Sequence, residues 1–202
     1  MINKLAKNQN WAKATPFLGI IFATVILMNF GLMDPMLYAL INIPLYFFHQ
    51  CEEHFKPGGF KDYINSRINK NAKVKPLNDI KVFWINIILV WFAFLLFGSL
   101  AFINIGFGVL IIIFSIINCL THIVQALKLK EYNPGLIMAS IQFTLSLFAA
   151  YMITHLSQGN LLAWWLGGLV FSILVHVLLF KLVMTRRNEA QAHVLEKQRA
   201  KK

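Results

Sequence analysis

The sequence predicts an all-α membrane protein, a polytopic bundle of about six transmembrane helices with both termini in the cytoplasm. Of its 202 residues 58% are hydrophobic and only 13% are charged, and the mean hydropathy is +0.63. This composition is too apolar for a soluble domain of the same size. The apolar residues also gather in runs of about the length that a helix needs to cross a bilayer.

Six apolar runs define the predicted transmembrane domain, which covers residues 17–184. The second run is short and ends in a polar motif, so neighbouring helices or the headgroup region must shelter its last turn. Only a weak helix-breaking signal separates the third run from the fourth, but together the two runs are too long for one helix in a bilayer of about 30 Å. The predicted spans are 17–33, 36–54, 82–103, 105–127, 135–157 and 161–184.

The distribution of basic residues predicts the orientation. Three Lys or Arg precede the first span, seven lie in 55–81, two in 128–134 and seven from residue 181 onward, which accounts for all 19. The other three connections contain none, so the positive-inside bias places the lead-in 1–16, the loop 55–81 and the basic tail 185–202 in the cytoplasm. The net charge of +11 is therefore a feature of membrane topology, and a nucleic-acid partner is not expected.

The loop 55–81 carries a pattern typical of a helix that lies on a membrane surface. Phe60, Tyr63, Ile64 and Ile68 recur at helical spacing, while basic and polar residues occupy the other face. A mobile charged loop is the alternative for so short a pattern.

The stretch 49–54 at the end of the second span is the strongest candidate for a functional site. On a helix His49 and Glu53 are one turn apart and Glu52 flanks them, so one imidazole and two carboxylates project from neighbouring positions. Adjacent carboxylates at the end of a span are costly without a counter-charge or a metal ion. His54 follows directly but lies off the face that His49 and Glu53 share.

Other polar residues are predicted to lie at the same depth as this motif. At 1.5 Å per residue, His49, His122, His176 and Gln142 all fall within roughly 8–13 Å of the cytoplasmic boundary. Asn118 lies one turn before His122 on the fourth span. A polar cluster inside a membrane bundle is a candidate functional site, although a single histidine such as His176 can also be satisfied by a hydrogen bond in the core.

At these residues the sequence resembles the bacterial HXXEE-motif membrane proteins, which are small multi-pass proteins of unsettled function. The resemblance rests on the string His49-x-x-Glu52-Glu53, the histidine-bearing fourth span and the turn Tyr132-Asn133-Pro134-Gly135-Leu136. It implies a location in the bacterial inner membrane and names His49, Glu52 and Glu53 as the working residues. It also implies that the turn packs beside them, but it supplies no reaction.

Two classes of function fit these residues. The first is a membrane-embedded enzyme in which His49, Glu53, His122 and His176 hold zinc or iron, Glu52 is the general base, and Asn118, His54 and Gln142 support the ligands. Its substrate would be a lipid or another hydrophobic molecule, and its reaction hydrolysis or a related one. A metal-free version would use the His–Glu pair for acid–base isomerisation.

The second class is a proton- or cation-coupled carrier or binder of a small molecule, in which the buried carboxylates couple binding to transport. A structural role, with the glutamates paired to nearby lysines, is the third alternative. The oligomeric state is not predicted from the sequence.

Overall fold

The computed structural model describes residues 2–70 and 75–199, with side chains described through residue 182. Over these residues the chain is helical and contains no strand, which confirms the predicted all-α fold class. A 3₁₀ segment, Lys7–Ala14, joins the first two helices, and α5 and α6 continue as π-helical turns, Ile64–Ile68 and Ile85–Phe92. The helices are α1 (Ile2–Ala6), α2 (Thr15–Asn29), α3 (Pro35–Leu40), α4 (Asn42–His54), α5 (Phe60–Tyr63), α6 (Asp79–Trp84), α7 (Ala93–Ala101), α8 (Gly106–Leu129), α9 (Leu136–Leu156) and α10 (Leu162–Arg199).

Five helical stretches of the described chain are long and apolar enough to cross a membrane. They are Ile2–Asn29, Asp79–Ala101, Gly106–Leu129, Leu136–Leu156 and Leu162–Leu182. These correspond to five of the six predicted spans, and they support a membrane protein by length and composition.

The second predicted span differs, because it consists of two shorter helices, α3 and α4, that meet at Ile41. Pro44 has no backbone N–H to donate to the carbonyl of Leu40, so the regular helical ladder is interrupted one turn before the proline. The next bond, from Leu45 N to Ile41 O, is long at 3.4 Å. The sequence pattern gave the length of this segment but did not reveal the break.

The interior of the bundle lies where α3 and α4 pack against α8 and α9. Small residues allow the closest approach: a Cβ added to Gly108 of α8 would lie 2.4 Å from the Cβ of Ala39 in α3. The outer helices α2 and α10 expose apolar side chains along their length, such as Met28 and Leu174. An exposed apolar surface of this kind is what a lipid-facing helix requires.

Three of the basic connections meet at one end of the bundle. The backbone N–H of Asn8 donates to Asp79 Oδ2 at 3.0 Å, and Lys61 pairs with the same carboxylate at 2.6 Å. Arg67 pairs with Glu131 in the α8–α9 connection at 2.6 Å. Their meeting agrees with the partition of charge, although the orientation in a membrane stays a prediction.

The apolar side chains of the 55–81 loop are partly covered by protein. Ile64 is buried and packs in a small core with Trp11, Leu77 and Phe83. The segment 60–68 is therefore helical as predicted, and the structure shows it docked on the bundle. The helix α10 extends through most of the predicted tail 185–202, but the side chains of that tail lie outside the described residues.

Candidate metal centre

The site begins with a polar stripe along α4. Asn42, Tyr46, His49 and Glu53 are separated by four, three and four residues, so they share one face of the helix. All four side chains are buried, and His49 is fully buried. This face of α4 is turned toward α8 and α9.

Glu53 brings the two predicted histidines together. Its Oε1 atom lies 3.2 Å from Nε2 of His122 and 3.6 Å from Nε2 of His49. The three ligand atoms all lie within 4.8 Å of one another. Ligands about 2.1 Å from a tetrahedral zinc ion are about 3.4 Å apart, so the spacing of Glu53 from both imidazoles fits a shared divalent ion.

Asn133 fixes the tautomer of His122. Its Nδ2 donates to the backbone carbonyl of His122 at 2.9 Å, which orients the amide so that Oδ1 faces Nδ1 of the ring at 2.8 Å. An amide oxygen only accepts, so Nδ1 carries a proton and Nε2 faces Glu53; in the neutral ring Nε2 presents a lone pair there. An imidazole supported in this way by a hydrogen bond from its other nitrogen is typical of a metal ligand.

Gly135 closes the site from the α8–α9 turn. Its φ of +97° lies in the left-handed region, and a Cβ there would stand 2.7 Å from Cγ of Glu53 and 3.1 and 3.2 Å from Cε1 of His122 and His49. Only glycine combines this backbone conformation with so close an approach. The turn that carries the family resemblance therefore packs directly on the three side chains.

Glu52 points away from this group. Its Oε1 accepts hydrogen bonds from Tyr132 Oη at 2.8 Å and from Ile137 N at 3.1 Å, and its Oε2 accepts from Met138 N at 2.6 Å. The two backbone groups belong to the first turn of α9, where N–H groups have no partner within the helix. Burial and the bond to Glu52 raise the pKa of Tyr132, so this hydroxyl stays a donor. The two adjacent glutamates thus occupy different environments, and the catalytic role of Glu52 stays a prediction.

Two of the predicted supporting residues adjoin the group. His54 Nε2 lies 3.5 Å from the second oxygen of Glu53, and Nδ2 of Asn118 lies 3.3 Å from Nε2 of His49. Together they place polar neighbours beside Glu53 and His49.

His176 and Gln142 do not belong to the group of three ligand residues. His176 on α10 is buried, its Nδ1 donates to the carbonyl of Ser172 at 2.8 Å, and it lies outside the group of three. Gln142 on α9 is fully buried but donates to Asn42 at 3.3 Å. Neither residue makes a hydrogen bond or ion pair with Glu53 among the described contacts of the chain, and their predicted roles stay predictions.

A cavity of about 600 Å³ adjoins the site. Glu53 and His122 form part of its wall, and Asn118, Thr121, Gln125 and His176 supply further polar groups. The rest of the wall is largely apolar and comes from α8, α10 and the segment 60–68; it includes Ile64, Ile68, Ile117, Leu120, Val124, Leu129, Leu179 and Phe180. Lys128 is the cation on this wall. A concave, mostly apolar site with few polar groups is the usual form of a small-molecule site.

Reasoning from span depth missed Tyr132 and Asn133, because both lie in a connection. The signal that could have found them is their position, since polar side chains immediately before the fifth span lie at the same end of the bundle as the motif in the second. Loop residues that a rigid scaffold positions often belong to functional sites.

A comparison with protein families agrees with this geometry. Residues 40–152, more than half of the chain, match the family described as proteins of unknown function with an HXXEE motif. No curated protein and no solved structure matches the chain. The chain belongs to the HXXEE family.

Proposed function

We propose that this member of the HXXEE family is a membrane-embedded, metal-dependent enzyme that acts on a lipid or another hydrophobic substrate. His49, Glu53 and His122 hold the divalent ion, zinc or iron. The site lies near the cytoplasmic face of a bacterial inner membrane, where the positive-inside bias places this end of the bundle.

One observation carries the proposal. The Nε2 lone pair of His122 and the carboxylate of Glu53 face each other at 3.2 Å in a buried environment. When the imidazole is neutral both atoms are acceptors, because its one ring proton is used in the bond to Asn133. Two buried acceptors at this distance repel unless a positive species lies between them. A divalent ion satisfies both, and it also reaches His49.

The composition of the ligand set suits hydrolysis or oxidation. Two histidines and one carboxylate, with an open position, occur in zinc hydrolases and in ferrous oxygenases. A bound ion in such a site supplies a Lewis acid and lowers the pKa of a bound water. Glu53 and His122 line the cavity, so the coordination position that the protein leaves open would be reached from the cavity.

For the proton acceptor the contacts favour His176 over the predicted Glu52. Both oxygens of Glu52 already accept hydrogen bonds. Nδ1 of His176 donates to Ser172, which leaves Nε2 as an acceptor, and that buried atom has no partner. His176 also lines the cavity beside His122. A base needs a free lone pair within reach of the substrate.

The shape of the cavity supports the substrate class. Its apolar walls suit an acyl or prenyl chain, and its polar end contains Glu53, His122, Asn118 and His176. A molecule that reaches this site from the bilayer would place its polar group beside the ligands and its chain along α8 and α10.

Metal content of the purified protein tests the proposal. We expect near-stoichiometric zinc or iron by mass spectrometry in protein purified without chelators, and its loss in a His49→Ala/His122→Ala variant. His155→Ala is the matched control, because His155 is exposed and stacks on Tyr151 far along α9. Full occupancy in the double variant would refute the ligand assignment.

A second function is favoured by the direct contact of His122 with Glu53. If a proton is the positive species between them, the pair can exchange it with a substrate, as an acid–base isomerase does. Absence of metal from the wild type, after reloading with zinc and with ferrous iron, would refute the metal-dependent enzyme and leave this function.

A further inference from the structure

A second polar layer lies inside the bundle and is separate from the His/Glu group. Asn42 of α4 accepts hydrogen bonds at Oδ1 from Gln142 Nε2 at 3.3 Å and from Ser146 Oγ at 2.7 Å, both on α9. All three residues are fully buried, and so is Ser115 of α8. Neutral polar side chains are rarely buried so completely among apolar helices without a role or a complete set of partners.

The helical register places this layer two turns deeper than the candidate metal centre. Asn42 precedes His49 by seven residues, Ser115 precedes His122 by seven, and Gln142 follows Gly135 by seven. Seven residues return to the same helix face and rise about 10 Å. The register that joins His49 to His122 therefore brings Ser115 to the level of Asn42, and α9 adds Gln142 at that level.

Three atoms of this layer lack partners. Nδ2 of Asn42, Oε1 of Gln142 and Oγ of Ser115 are buried and make no hydrogen bond in the described structure. A buried polar group without a partner destabilises the folded state. The layer contains an unpartnered donor, an unpartnered acceptor and a hydroxyl that can do either.

The presence of both a donor and an acceptor without partners restricts the kind of ligand that the layer can hold. A metal cation would be repelled by the amide N–H of Asn42, and an anion by the carbonyl oxygen of Gln142. A water molecule both donates and accepts, and buried waters typically make about three hydrogen bonds to groups that otherwise lack partners. We propose that Asn42, Ser115 and Gln142 form a site for ordered water about 10 Å from the His/Glu group.

Tyr46 joins the two layers on the same face of α4. It lies one turn after Asn42, and its ring centroid is 5.4 Å from that of His49. A water site at this place would hydrate the bundle on the side of His49 that is away from the apolar cavity. If the proposed hydrolytic function holds, the same site supplies water to the reaction; this consequence alone rests on the proposed function.

Radiolytic hydroxyl labelling in ¹⁸O-water tests the site, because radicals formed from a bound water mark the side chain beside it. We expect label on Tyr46, which is 5% exposed, in the wild-type protein in nanodiscs. Label should fall several-fold in a Ser115→Ala/Gln142→Met variant. Label on Tyr151, which is 63% exposed, is the internal control and should not change.

The outcomes separate this site from the metal centre. Absence of label from Tyr46 in the wild type overturns the proposal even if the variant fails to fold, and so does equal label in a folded variant. A melting temperature that rises with sodium ions in the wild type but not in the variant also overturns it, in favour of a cation. Loss of the Tyr46 label from a Ser115→Ala/Gln142→Met protein that binds metal like the wild type supports the water site independently of the metal centre.

Discussion

Exchange of each motif glutamate for glutamine should separate two roles. In Glu52→Gln the carboxylate that joins α4 to the start of α9 loses its charge. The wild-type group accepts three hydrogen bonds, of 2.8, 3.1 and 2.6 Å, from Tyr132, Ile137 and Met138. Hydrogen bonds to a charged group contribute about 1.5–3 kcal/mol each, against about 1 kcal/mol for neutral ones.

The magnitude follows from what glutamine can replace. Its single carbonyl oxygen keeps the two bonds at Oε1 in weaker form, and its amide N–H₂ then faces the N–H of Met138, which loses its partner. The attraction of a carboxylate for a helix N-terminus, about 0.3–1 kcal/mol, is lost as well. We expect a loss of about 3–4 kcal/mol in the free energy of unfolding, or roughly 10 °C in melting temperature for a chain of this size.

The opposite result is expected for Glu53→Gln. This change removes a proposed ligand but no contact with α9, so bound metal should be lost while the metal-free protein melts within a few degrees of metal-free wild type. Thermal denaturation in detergent and metal content, measured on both variants, form the assay. A Glu52→Gln protein that melts like wild type but has lost its metal would refute the reasoning, because Glu52 would then be the ligand.

Three further predictions follow from contacts around the site. Gly135→Ala should lower the free energy of unfolding by about 2 kcal/mol or more and should also lower metal occupancy, because alanine is strained at φ +97° and its Cβ meets Glu53. Gly159→Ala is the control, because Gly159 has open space around it, and it should leave thermal denaturation and metal content unchanged. Asn133→Ala should weaken metal binding about 10–100-fold in a chelator competition, because His122 loses the bond at Nδ1, and unchanged affinity would contradict its supporting role. Arg67 lowers the pKa of the Glu131 carboxyl, so this ion pair stabilises the docked segment 60–68 at pH values above the ordinary glutamate pKa, and the stabilisation is lost as the pH falls through the lowered pKa. Amide protection factors of 60–68, corrected for the intrinsic exchange rate at each pH, should fall there, and an Arg67→Ala protein should show no such fall.

Much of the site could be predicted because spacing and depth constrain it. The i, i+4 pair His49 and Glu53 and the matching depth of His122 both follow from helix geometry and from the alternation of charged connections. What depth cannot give is the direction in which a side chain points. Glu52 and Glu53 are adjacent, yet the 100° between them directs one carboxylate to the first turn of α9 and the other to the histidines.

Gln142 shows a second limit. The depth of its span predicts that Gln142 lies in the layer of His49, but it bonds to Asn42, two turns deeper. The reason is that α9 begins level with the site, where Gly135 touches the ligands, so its seventh residue is already far inside. Hydropathy defines the ends of a span only to within a turn or two, and an error of that size moves a residue from one polar layer to the next. The break at Ile41 was missed for a related reason, since one proline alters the backbone without altering the apolar run.

The residues of the site are synthesised in chain order, and Gly135, which packs on the other three side chains, comes last. His49, Glu53, His122 and Gly135 emerge over a long stretch of synthesis, and the helices that carry the two histidines, α4 and α8, are separated along the chain by α5, α6 and α7. Before Gly135 is synthesised, the turn that supports His122 does not exist. Glu53 then also lacks the cover that this turn provides. Two further apolar segments, Asp79–Ala101 and Gly106–Leu129, are therefore synthesised after Glu53 and before the turn that covers it.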